Sequence, residues 1–122
     1  MQIFKEIVRI AEKAATDTTW NTTSHPAPAA ANGYTAGGTA TTVTISETSG
    51  TTTVQGTQVV FTATTGGIGP FRYAILYNDT ATSPADAAIA YWDYGSSVTL
   101  ADTETFTVKF NNTTPGTIFT LV

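Results

Sequence analysis

Between Phe71 and Gly95, apolar and polar positions alternate twice over. Phe71, Tyr73, Ile75 and Tyr77 take turns with Arg72, Ala74 and Leu76; further on, Ile89, Tyr91 and Asp93 take turns with Ala90, Trp92 and Tyr94. A period of two sends successive side chains to opposite faces of a strand. The stretch predicts two strands joined by the polar loop Asn78–Asp86, with Gly95 closing the second. Large aromatics bury the most surface per residue, and most of the aromatic mass lies here. This hairpin is therefore expected to be the middle of a sheet on which the rest of the chain packs.

Shorter alternating runs follow the same rule on either side. Residues 39–46 place Val43 and Ile45 on one face, 49–56 and 57–64 are separated by glycine, and 104–110 set Phe106, Val108 and Phe110 inward. Residues 96–100 and the apolar 117–122 add two more. Seven or eight short strands at this spacing predict an all-β protein, an antiparallel β-sandwich or small barrel. A final strand this apolar should be inserted in the sheet, so that even a small C-terminal truncation is costly.

The N-terminal part breaks the pattern. In residues 2–15, Ile3, Phe4, Ile7, Val8, Ile10, Ala11 and Ala14 form one stripe at helical spacing, with the charges opposite. An amphipathic helix is the expectation, packed on the sheet or docked on a neighbour. Residues 16–39 are polar and then Pro/Ala-rich, with turn signals at Asn32-Gly33 and Gly37-Gly38, and predict an extended arm. The chain thus divides into an N-terminal helix and arm, 1–38, and a β domain, 39–122. Helix and arm supply the candidate partner-binding residues Ile3, Phe4, Ile7, Val8, Trp20, Pro26, Pro28 and Tyr34.

Composition narrows the function. Charged residues make up 11% of the 122-residue chain, against about 25% in an ordinary domain. The net charge of -4 argues against nucleic acid, which calls for a basic footprint. Threonine supplies nearly a quarter of the chain, favouring strands while keeping exposed faces wet without charge. Such a Thr- and Gly-rich, Lys-poor β composition is associated with extracellular or virion surfaces. No apolar run approaches the ~20 residues of a membrane-spanning helix. Cysteine is absent, which removes disulfides and thiolate metal sites. Asn-X-Thr sequons at Asn21, Asn78, Asn111 and Asn112 follow from the abundance of threonine.

Catalytic material is scarce. His25 is the single histidine, flanked by Ser24 and Pro26 in a loop, and reads as solvated. The glycines of 65–70 lack a following lysine, which excludes a phosphate-binding P-loop. Asp79 and Asp86 match no calcium-loop spacing. Asp93 is the acid of most interest, expected to hydrogen-bond a backbone amide or to pair with Arg72, since buried acids are generally paired. The expectation is a protein that is not an enzyme and takes no cofactor or metal.

Four boxes in a fixed order carry a resemblance. Gly33-Tyr34-Thr35-Ala36-Gly37-Gly38, then Arg72 to Asp79 (RYAILYND), then Ala90 to Gly95 (AYWDYG), then Phe106-Thr107-Val108 with an apolar C-terminal strand, resemble small structural proteins of tailed bacteriophages, encoded among head and tail morphogenesis genes. The resemblance covers roughly residues 33–122 and departs before Gly33, where relatives often carry a longer β-rich region. It implies a virion component made in the bacterial cytoplasm, a decoration or cement protein bound to the major capsid protein, and self-association, with trimers common. Other virion positions (connector, tail, fibre) remain open. So does a carbohydrate-binding module with Trp92, Tyr91, Tyr94 and Tyr77 as a stacking platform.

Overall fold

The computed structural model describes residues 6–11 and 28–122. Nine antiparallel strands run through them: β1 Glu6–Ala11, β2 Thr39–Thr41, β3 Val43–Thr48, β4 Thr51–Gly56, β5 Val59–Thr62, β6 Ile68–Thr82, β7 Ala85–Leu100, β8 Thr105–Val108 and β9 Gly116–Leu121. They form three sheets, ordered β2-β1-β6-β7, β3-β4-β9 and β5-β8. One core joins the sheets: Val8 of β1, Phe61 of β5, Phe71, Ala74 and Leu76 of β6, Leu100 of β7 and Val108 of β8 pack together, with Ile118 of β9 against them. The all-β expectation holds, and the arrangement is that of a sandwich.

The central hairpin is longer than the alternation suggested. β6 and β7 meet at Ser83-Pro84, so Asn78–Asp86 is mostly strand and not loop. Gly95 does not end β7 either. It sits at a φ of 93° where the ladder slips between Phe71–Val98 and Tyr73–Asp93, and the strand resumes to Leu100. Glycine supplies the backbone freedom that such a bulge requires. The β3–β4 hairpin turns on Ser49 and Gly50, both at positive φ, with Glu47 accepting the Gly50 N–H at 2.6 Å.

Residues 6–11 correct the helix expected over 2–15. They are a strand, paired with β2 (Ile7 opposite Ala40) on one side and with β6 (Ile7 opposite Tyr77) on the other. The remainder of the predicted helix, 2–5 and 12–15, lies outside the described residues, as does the arm from 16 to 27. The physical reason lies in Glu6–Ala11 itself. A run with four apolar positions in six satisfies both the helical and the extended period. Ile7, Val8 and Ile10 are β-branched, which favours the pleated solution. Backbone pairing with β6 along its whole length, and with β2 from Glu6 to Val8, then satisfies much of the segment's hydrogen-bonding capacity.

β1 therefore belongs to the same sheet as β6 and β7. The segment 28–38 also joins the body: Thr64 N–H donates to the Asn32 carbonyl at 2.8 Å, and the Tyr77 hydroxyl donates to the Gly37 carbonyl at 2.9 Å. Ala74, Ile75, Leu76 and Tyr77 are all buried, so β6 is covered on both faces there. At the other end of the chain, β9 has β4 alone as neighbour among the described strands, and Leu121 and Val122 are exposed. The last strand is an edge and not an insertion, and loss of its final two residues should leave the core intact.

Candidate functional site

Two surface features are built on successive stretches of the hairpin. The first is built on the bulge at Gly95. Arg72 of β6 reaches across to Asp93 of β7 with two hydrogen bonds, Nε to Oδ1 at 2.7 Å and Nη2 to Oδ2 at 2.9 Å. The bulge turns the Gly95 N–H onto the same Oδ1 at 2.8 Å. A bidentate pair with a third donor is geometrically fixed even where partly exposed. The guanidinium and the Gly95 N–H hold the Asp93 carboxyl below the usual aspartate range, and Asp93 raises Arg72 in turn. The pairing expected from the sequence is present.

Around this pair lies a shallow cleft of about 180 Å³, with Trp92, Tyr94, Phe106 and Lys109 among its walls. Tyr94 is 61% exposed and Tyr91, on the same strand, 52%. Their rings are braced edge-on, Tyr94 by Phe106 at 5.5 Å and Tyr91 by Tyr73 at 6.3 Å. The other two members of the expected aromatic platform do not join them. Trp92 turns inward onto Phe110, centroids 5.2 Å apart, and Tyr77 is buried with its hydroxyl on Gly37. Arg72 and Lys109 are the basic residues of the sequence beyond Lys13, and both face this cleft.

The pair has a pH signature. A depressed carboxyl stabilises the fold at pH above the ordinary value of about 3.9, and that contribution disappears as pH falls through the depressed folded value. Thermal melts of the wild type and Asp93→Asn are expected to differ at pH 7 and to converge in stronger acid. A constant difference down to the lowest pH would mean that the carboxylate charge is not involved.

The second feature is a groove of about 290 Å³ between the β3-β4-β9 sheet and the hairpin. Ile45, Val54 and Phe119 stand opposite one another in register across β3, β4 and β9, so their side chains share one face. Leu76, Ile89, Asn78 and Ile118 complete the walls, and no charged side chain lines it. Val54 is buried, but Ile45, Ile89 and Phe119 are exposed. These strands were expected to turn Val43 and Ile45 inward. They do not: Val43 is half-buried and Ile45 is exposed, because the layer opposite does not reach far enough to cover the outer end of the row.

The partner-binding candidates read from the sequence fall elsewhere. Val8 and Tyr34 are core residues, Tyr34 with its ring 5.8 Å from Phe61, and Pro28 is buried. Their apolar surface is used within this chain. Ile7 is placed by its backbone in β1, while Ile3, Phe4, Trp20 and Pro26 lie outside the described residues. Ile45, Ile89 and Phe119 were missed as surface residues, because alternation reports the face and not whether anything covers it. Among the described residues, no three His, Asp or Glu side chains gather in metal-binding geometry. No family model, curated protein or solved structure matches the chain.

Proposed function

We propose that this chain is a non-enzymatic structural protein of a tailed-phage virion, a decoration protein held on the capsid surface by the major capsid protein. The observation that carries the reading is the uncharged groove of Ile45, Ile89 and Phe119, left uncovered on a rigid β body. Apolar surface gathered in one place and free of charge is what a permanent protein partner covers. The boxes of the phage resemblance point the same way, since they occupy frame positions: Tyr34 and Gly37 against the sheet, the hairpin strands, and Phe106 with Val108 in or against the core.

Antibody against the chain should label the heads of phage particles grown from the genome that encodes it, and Ile45→Asp should abolish incorporation without lowering the melting temperature. Label on the tail or connector would move the protein to that position. Its absence from purified particles would overturn the virion reading.

The exposed Tyr94 beside the fixed Arg72–Asp93 pair, with Trp92 in the same cleft, favours a second reading, glycan binding at the cleft. Aromatic faces with a preorganised charged pair suit a sugar ring and its hydroxyls. Binding on a glycan array that Tyr94→Ala eliminates would support it; an array with no binding would remove it.

A further inference from the structure

We propose that β9 is the seam through which two copies of this chain join, edge to edge and antiparallel, into one six-stranded sheet. This goes beyond the virion reading and does not depend on it. Edge strands in soluble proteins are blunted by lysine, proline, inward charges or short length. From Gly116 to Val122 the sequence GTIFTLV has neither charge nor proline, and β9 runs six residues with one neighbour, β4, among the described strands. β3, at the far edge of the same sheet, differs: it carries Glu47 and turns directly into β4.

The area suffices. Ile89 is 41% exposed, Phe119 40%, Leu121 60% and Val122 completely. Together they present on the order of 400 Å² of mainly apolar surface per copy, within the apolar share of interfaces that bury about 600–1,000 Å² per partner. Phe119 and Leu121 lie two apart on one strand and share the face that lines the groove. A second β9 laid alongside would set its own Phe119 and Leu121 next to them, covering the open flank at Ile89. The backbone N–H and C=O groups along the free edge would find partners in the same step. Because the strand pairs with its own copy, the contact is isologous and closes at two.

Absence of cysteine from the chain makes the test clean. Light scattering of the full chain at about 0.1 mM is expected to give twice the monomer mass, well above the micromolar Kd typical of a weak interface. Leu121→Lys is expected to return it to a monomer with an unchanged melting temperature. Thr120→Cys treated with a short bis-maleimide should give a covalent dimer, whereas Thr44→Cys on β3 should not. A monomeric wild type, a Leu121→Lys protein that is still dimeric, or crosslinking only in mixtures of the two cysteine variants would each overturn the proposal. The last result would indicate head-to-tail joining of β9 to β3.

Discussion

Gly116→Ala is expected to abolish folding. Gly116 opens β9 directly beneath the carbonyl of Phe110, and a Cβ there would fall on that backbone group. No side chain can move aside to relieve a clash with main chain. Gly116 also stands opposite Gly56 in the β4–β9 ladder, and Gly56 in turn lies against the ring of Phe110. Two glycines thus let one aromatic and its own carbonyl close down on a pair of strands. Forcing them apart would separate β9 from β4 and lift Phe110 out of the core. The loss should exceed about 4 kcal/mol, in the exceptional tail of single substitutions and comparable with the 5–15 kcal/mol that stabilises a whole domain. Gly50→Ala is the control: nothing lies within 4 Å of its Cβ, but its φ is 81°. Strain alone should cost it about 1 kcal/mol. Circular dichroism melts of the two variants decide the matter, and similar melting temperatures would refute it.

Phe110→Ala carries the second large effect. Phe110 follows β8, is 2% exposed, and touches Trp92 of β7 as well as Gly56 of β4. It is the side chain that ties the hairpin to the β3-β4-β9 sheet. Truncating a buried phenylalanine removes both transfer energy and packing, about 3–5 kcal/mol. The surrounding groups cannot collapse into the space, because Gly56 has no side chain to offer and Trp92 is held in β7. Val60→Ala on the exposed side of β5 should cost below about 1 kcal/mol. Urea titrations should show the Phe110 variant's midpoint moving several times further than that of Val60, with little change in slope. Equal shifts would mean that Phe110 does not bridge the layers.

The strands that were legible in the sequence are those whose alternation spans a single covered face. Phe106, Val108 and Phe110 are the plain case. Arg72 with Asp93 was legible too, as the one cation on the central strand facing an acid among the aromatics of the returning strand. Glu6–Ala11 was not, because a run with four apolar positions in six satisfies the helical and extended periods equally well. The polarity of Asn78–Asp86 concealed the extension of the hairpin: threonine and alanine suit an exposed ladder as well as a loop, and the turn needs Ser83 and Pro84 alone. The groove and the free edge depend on strand order, which sequence pattern does not encode. Ile45, Val54 and Phe119 come from three separate runs, and only the β3-β4-β9 order aligns them. Gly56 was read as a separator between strands, whereas its role, like that of Gly116, is close approach.

The pairing of β1 with β6 also sets an order of events during synthesis. Glu6 pairs with Asn78 and Ala11 with Tyr73, so β1, which can pair with the short β2 earlier, lacks its longer β6 partner until more than sixty further residues have been made. At roughly 5–20 residues per second, that interval lasts several seconds, during which EIVRIA is a short, apolar, β-prone segment with at most the three-residue β2 to pair with. Topologies built on such distant pairings fold slowly, over milliseconds to seconds. β1 is therefore the point at which the nascent chain is most open to chaperone capture or to pairing with another nascent copy, and the central sheet becomes complete only once β6 and β7 have followed it.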